Sequence, residues 1–296
     1  MRVLTLPITP ELSGQPVKRL LRQQLGLSSS LLKSLKWRKN AILLNGQSVT
    51  VRAVTHTGDT LTVDVSDPPA VSSITPVDYP LHILWEDEDL LILNKPAGIT
   101  VHSAALTEET ITVAGAVAHY LGGGIFHAVN RLDRGVTGVM VVAKNSYMHQ
   151  RCMEILHTDA FRREYRGICD GIPDPPQGSI DLPIRRKPDS LLKRCIDPDG
   201  LPSHTEYEVL SVSHDRALLR LRPVTGRTHQ LRLHMAAIGC PLTGDWLYGT
   251  EDKSLIARPA LHSYHLRMTH PVTGAVIDVT APLPEDIQRL LKEERL

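Results

Sequence analysis

A chain of 296 residues, 42 % apolar and 22 % charged, has ordinary globular composition and enough length for one large body and one small one. Its apolar runs, such as Val139 to Ala143, are far too short to cross a bilayer, and the N-terminus lacks the order of a signal peptide; a cytoplasmic protein with no membrane partner is expected. Four scattered cysteines, Cys152, Cys169, Cys195 and Cys240, form no C-x-x-C pair, which argues against a zinc site and against a disulfide framework, and the net charge of +1 conceals a strongly basic first segment.

Between Leu12 and Gly58 that segment carries Lys18, Arg19, Arg22, Lys33, Lys36, Arg38, Lys39 and Arg52 and no Asp or Glu, whereas Trp85 to Asp89 is acidic. A charge run can be merely a solvated face, but a whole segment of one sign suits a polyanion, because Lys and Arg release counterions from phosphates. Val17 to Leu25 and Ser28 to Lys36 have helical apolar spacing, and Ser28 to Ser30 offer caps for the second helix. Ala41 to Gly46 predicts a strand running into an Asn-Gly turn, and Thr60 to Val65 predicts an alternating strand. Residues 1–66 are thus expected to form a compact basic αβ module. Residues 67–76, rich in proline and small polar residues, read as a linker.

From residue 77 to 296 the chain is rich in short β-runs: Leu90 to Leu93, Val139 to Ala143, and Thr205 to Val212 with Ala217 to Leu221 as a hairpin. Val224 to Gly239 reads as strand, glycine turn and helix, with Leu231, Met235 and Ile238 on one face and Gly239-Cys240-Pro241 ending it. Glu285 to Leu296 is expected to be a short amphipathic helix. Periodicity alone supports an α+β fold.

The chain has no Walker loop, no G-x-G-x-x-G, no G-x-S-x-G and no H-E-x-x-H. Gly122-Gly123-Gly124 could cradle an anion but reads better as a turn. His229 and His234 are predicted to face different sides of a helix, which disfavours a metal. What remains is Asn130-Arg131-Leu132-Asp133-Arg134, in which Gly135 and Gly138 allow a tight turn that brings Asp133 close to a ligand. Arg131 and Arg134 flank the aspartate and should keep it charged in an anion-attracting cleft, although an ordinary surface Arg–Asp pair is the bland alternative. Arg227, in the turn before the helix, is free to reach a carboxylate.

Four stretches in order resemble the RluA family of pseudouridine synthases: Asp89 to His102, the Arg131-Leu132-Asp133-Arg134 core, Gly226-Arg227-Thr228-His229-Gln230-Leu231-Arg232, and Ala260 to Ser263 with His270 to Gly274. The first segment resembles an S4 RNA-binding domain in Ile42 to Gly46 and in Gly58 to Leu61. This resemblance implies a mixed, mainly antiparallel sheet with flanking helices and a central cleft, preceded by the S4-like module. It implies an RNA pseudouridine synthase needing no cofactor and no metal, acting as a monomer on structured ribosomal or transfer RNA. It further implies that Asp133 is the catalytic aspartate, that Arg131 fills the place of the flipped nucleotide, and that Arg227 pairs with Asp133. Tyr165, in Arg163-Glu164-Tyr165-Arg166, would stack on the target base, while Leu231 and Arg232 line the pocket. Arg134 and the module's Lys18, Arg19, Lys33, Lys36, Arg38 and Lys39 would contact RNA. Asn130 stands where many members have His, and Gly135-Val136 replaces a commoner acidic-Thr pair; both adjoin the RNA-facing turn. The rival readings are a catalytically silent RNA-binding protein on the same fold and a uridine-directed glycosylase or nucleotide hydrolase, which would release a base and change the RNA mass.

Overall fold

The computed structural model describes residues 2–67, 74–102 and 111–296. Its first segment comprises β1 (Val3–Pro7), α1 (Val17–Gln23), α2 (Ser29–Leu35), β2 (Ile42–Leu44), β3 (Gln47–Ser48) and β4 (Thr60–Asp64); both helices, β2 and β4 lie close to the expected elements, whereas β1 was not expected. Helical spacing puts Val17, Leu20 and Leu21 on one face of α1, where all three are fully buried, and Leu32 and Leu35 of α2 close over them. Ser28 caps α2 by accepting a hydrogen bond from the Leu31 amide at 3.1 Å. Asn45 and Gly46 both have positive φ, the geometry of a two-residue hairpin turn, and the strands order as β1-β4-β2-β3.

The rest of the chain supplies β5 (Ile83–Glu86), β6 (Leu90–Lys95), α3 (Val113–Tyr120), β7 (His127–Ala128), β8 (Thr137–Ala143), α4 (Ser146–Ile155), β9 (Phe161–Asp170) and β10 (Gln177–Asp181). Then come β11 (Ile184–Arg186), β12 (Arg194–Ile196), β13 (His204–Ser213), β14 (Arg216–Pro223), α5 (Gln230–Ala237), β15 (Leu261–Thr269), β16 (Val276–Thr280) and α6 (Glu285–Glu294). One large sheet runs β10-β13-β14-β9-β15-β8-β6-β5, with β16 on β15 and β7 on β8, and β11 pairs with β12 apart from it. Its pairings are antiparallel except for the short parallel contact of β15 with β8. The architecture is therefore a mixed α/β fold built mostly from antiparallel strands, as expected.

The parallel contact fixes the centre of the sheet. Gly138 of β8 lies beside Ser263 of β15, which lies beside Tyr165 of β9. A Cβ on Gly138, whose φ is +106°, would fall 2.1 Å from the Ser263 carbonyl oxygen, so only glycine lets these strands approach. The turn holding Asp133 leads directly into this row.

Helix α4 joins the two bodies. Tyr147 packs into the core of the first and donates to Leu25 O at 2.9 Å; Gln150 accepts from the Ser28 amide and donates to Gly26 O, each at 2.8 Å. Asp67, expected to begin a free linker, accepts from the Ser146 amide at 3.0 Å and bonds His127 at 2.7 Å; residues 68–73 of that expected linker lie outside the described residues. Among the described residues no helix is long and apolar enough to cross a membrane.

Candidate active site

The Asp133 turn is pinned at both edges and supported from below. Val129 N donates to Val141 O at 2.9 Å, and Asn130 Oδ1 accepts from Val141 N at 2.7 Å, so Asn130 ties the start of the turn to β8. Val136 N closes the turn on Asp133 O at 3.0 Å. Beneath it, the buried Lys95 at the end of β6 donates to Pro96 O and Ile99 O at 2.8 Å and to Arg134 O at 3.4 Å. Arg258 donates to Gly135 O at 3.0 Å while its fork grips Asp286 at 2.7 and 2.8 Å. Two buried cations thus hold successive carbonyls just beyond Asp133. This is the means by which a loop can present a carboxylate in one orientation.

The facing wall is the N-terminus of α5. Gln230, itself buried, organises the preceding turn: its Oε1 accepts from Arg227 N at 2.9 Å and from Thr225 Oγ1 at 2.8 Å, and its amide donates to His204 O and Thr205 Oγ1. Arg232, two residues further along α5, forks onto the fully buried Asp245 through two 2.7 Å bonds and extends Nη1 to Asp133 Oδ2 at 3.2 Å. The cation held next to Asp133 is therefore Arg232, which corrects the expected pairing with Arg227. Arg227 lies on the cavity rim, and its Nε donates instead to Pro202 O at 3.1 Å. The sequence offered two arginines in one motif. The Gln230 bracket turns the first along the rim, and the helical phase turns the second inward.

His229, with φ +58°, caps α5 and brings Nε2 to 3.8 Å from Asp133 Oδ2, while Nδ1 bonds the Tyr248 hydroxyl at 2.9 Å. That hydroxyl also accepts the Arg194 amide at 2.9 Å, so Tyr248 is itself anchored and fixes the ring with Nε2 facing Asp133. Burial lowers the His229 pKa, opposed by the charge of Asp133. The sequence allowed His229 to be weighed only as a metal ligand and gave no sign of its place beside Asp133. Among the described residues there is no group of three potential metal ligands.

These walls enclose a cavity of about 340 Å³, within the range of small-molecule sites, whose lining includes Asp133, Arg131, Tyr165, Leu231, Arg227 and Arg232. Tyr165 projects from the core face of β9 and Leu231 from α5, so the cavity combines an aromatic, an aliphatic wall and a partly exposed carboxylate. Burial pushes the Tyr165 phenol above its ordinary range, so it presents a neutral ring. Arg134 is exposed and its Nε donates to Gly98 O at 3.0 Å. On the first body Lys18, Arg19, Lys33, Lys36 and Lys39 are exposed, and Trp37 among them is 86 % exposed, a feature no periodicity marks. Arg38 differs from the expected set: its guanidinium is held by Asp64 at 2.5 Å and by the Ser66 carbonyl, so it braces the module itself.

Lys95 gives a pH-dependent signature of this scaffold. Burial pulls its ammonium from 10.5 down to about 7, a shift limited by Asp133 and reinforced by Arg258. Above about pH 7 the unfolded chain therefore binds more protons at this position than the folded one. The lysine's cost to stability is largest below that pH and shrinks as pH rises toward 10.5. Urea denaturation at about pH 7 and about pH 9 should show the stability of the wild type rising relative to Lys95→Met. A parallel pH response of the two proteins would show that Lys95 does not titrate in this window.

With this geometry in place, the comparisons are consistent. Residues 89–237 match the family described as RNA pseudouridylate synthase. A Bacillus subtilis (strain 168) protein named as an uncharacterized RNA pseudouridine synthase, YjbO, is 35 % identical over 92 % of this chain and 96 % of its own length. The ribosomal large subunit pseudouridine synthase D of Escherichia coli (strain K12) is 37 % identical over 74 % of this chain and 72 % of its own. Among solved structures, human RNA pseudouridylate synthase domain containing 4 superposes with a TM-score of 0.59 at 26 % identity, over 72 % of this chain and 93 % of that one. The chain belongs to the RNA pseudouridylate synthase family and is an RNA pseudouridine synthase, an isomerase.

Proposed function

We propose that this enzyme converts uridine to pseudouridine in large-subunit ribosomal RNA, with Asp133 as the nucleophile and residues 1–66 as an S4-like RNA-binding module. The observation that supports the chemistry most directly is the setting of Asp133. Its carboxylate stands partly exposed at a cavity wall, with Arg232 at 3.2 Å and the His229 Nε2 at 3.8 Å. Named relatives in Escherichia coli and Zymomonas mobilis, designated ribosomal large subunit pseudouridine synthase D, support the choice of ribosomal over transfer RNA.

Isomerisation breaks the N1–C1′ bond, turns the uracil and joins C5 to C1′; N1 takes up a proton and C5 releases one. Atoms balance without a cofactor. The target base must first leave its stack, at a cost of a few kcal/mol in a duplex. A base resting on Tyr165 recovers about 1–3 kcal/mol, and Arg131, exposed at the rim, is placed to fill the vacated position. Asp133 then attacks C1′ and displaces the uracil at N1, and after the base turns C5 displaces the carboxylate from C1′, while Arg232 orients that carboxylate and offsets its charge. On the first body, exposed lysines around Trp37 provide phosphate contacts and a stacking surface. Helix α4 bridges the module to the cavity, because its Gln150 holds the start of α2 while Met153 and Leu156 line the cavity.

Pseudouridine mapping of ribosomal RNA from cells without the gene should lose a signal at a discrete large-subunit uridine, restored by the wild-type gene. A variant with Lys18, Lys33, Lys36 and Lys39 changed to Glu should restore it poorly, though the folded protein is present. An unchanged large-subunit map would reject the ribosomal target, and full restoration by the charge-reversed variant would reject the module's role.

A further inference from the structure

Arg163 occupies an unusual register. Along β9 the core face carries Phe161, Arg163, Tyr165, Gly167 and Cys169, and Arg163 is the charged member of that face. Its Nε is buried without a hydrogen-bond partner, and Nη2 makes only a long contact, 3.5 Å, to Pro223 O. Among the described residues it forms no ion pair. By contrast Arg232 and Arg258 are each fork-bonded to a carboxylate. A guanidinium left this incomplete on a core-facing register is costly unless something else completes it.

What could complete it is set by position. The active-site cavity shares Leu156, His157, Arg163 and Pro223 with a neighbouring cavity of about 730 Å³, so Arg163 stands at their junction. In that second cavity Arg162, Arg222, Arg267 and His265 are already paired with Asp159, Glu164 or Asp278, which leaves Arg163, among the described residues, as the guanidinium without an ion pair between the two spaces. Residues two apart on a strand project on the same side about 7 Å apart, so Arg163 lies one such step from Tyr165. That is the reach from a stacked base to the backbone of its own strand.

We propose that Arg163 binds the phosphodiester adjoining the target uridine, and that the neighbouring cavity receives the nucleotide on the far side of that phosphate. This rests on the first cavity being the uridine site. The guanidinium fork matches two phosphate oxygens, and its Cζ lies over the Phe161 ring, 5.8 Å from the ring centre.

The test uses a synthetic stem–loop RNA carrying the mapped uridine, with native linkages or with one uncharged methylphosphonate 5′ or 3′ of that uridine. Conversion is followed under single-turnover conditions with the wild type, Arg163→Met and Arg163→Lys. Arg163→Met should raise the half-saturating concentration about tenfold or more and reduce its logarithmic salt slope by roughly 0.7, the loss falling on saturation rather than on the maximal rate. One of the two methylphosphonates should weaken the wild type similarly and add nothing in Arg163→Met. Arg163→Lys, which keeps the charge, should recover part of the affinity. Full additivity of Arg163→Met with both methylphosphonates would overturn the proposal, as would a loss confined to the maximal rate. If the wild type fails to convert even the native RNA, the uridine reading itself is refuted and the phosphate site falls with it.

Discussion

Asp133→Asn should abolish pseudouridine formation, by at least about 10⁴-fold, while leaving the fold and RNA binding nearly intact. The amide has the size of the carboxylate and can still accept the hydrogen bond from Arg232 Nη1, but it is not a nucleophile. Stability should change little, because Arg232 keeps its fork on Asp245 when the Asp133 charge is gone. The turn is held by bonds that the substitution does not touch, those from the side chains of Asn130, Lys95 and Arg258 to backbone groups. The measurement is tritium release from RNA labelled at uridine C5, since that hydrogen leaves only when C5 bonds to the sugar, with RNA binding measured on the same preparation. Tritium release at the wild-type rate would remove Asp133 from the nucleophile's role. Base release with a change in RNA mass would instead favour the glycosylase reading.

Apart from β1, the elements of the first body were legible because local signals agreed there. Leucine spacing, a serine cap and an Asn-Gly turn each specify the same short helices and hairpin, and no long-range contact is needed to choose between them. Several strands of the large sheet were legible as β-runs, and one hairpin as a pair, but their order in the sheet was not. The parallel meeting of β8 and β15 joins residues more than 120 positions apart, and only the steric need for Gly138 hints at it.

The candidate site divides along the same line. Asp133, Tyr165 and Leu231 could be named because each sits in a recognisable motif. Which arginine serves Asp133 could not be read from that motif, since Arg227 and Arg232 are equally available in one dimension. The choice depends on Gln230 locking one backbone and Asp245 fixing the other side chain. Lys95, Arg258 and His229 were missed for a related reason. Each acts on backbone carbonyls or through the facing of one imidazole nitrogen, and a sequence displays neither. Arg163 was in view throughout as part of the Tyr165 motif; its core-facing register needed the strand boundaries.

Arg232→Met should be the most damaging single change at this site, for two separable reasons. It removes the cation beside Asp133, and it leaves the fully buried Asp245 with amide donors from Leu247 and Tyr248 but no counter-charge. Breaking a buried pair from one side costs about 3–5 kcal/mol, so Arg232→Met should lower the urea midpoint sharply as well as abolish turnover. Arg232→Lys keeps a positive charge but cannot fork onto Asp245 and reach Asp133 at once. It should unfold less readily than Arg232→Met yet lose about 10²–10³ in rate, on the scale of losing an oriented electrostatic contact. Combining Arg232→Met with Asp245→Asn removes the stranded charge while sparing the oxygen that accepts the Leu247 amide. Stability should recover in good part in that double variant, whereas turnover should stay lost because nothing holds the Asp133 carboxylate. Urea denaturation and C5 tritium release on the same three proteins separate the two effects. If the double variant regained turnover together with stability, Arg232 would be a structural partner of Asp245 and nothing more.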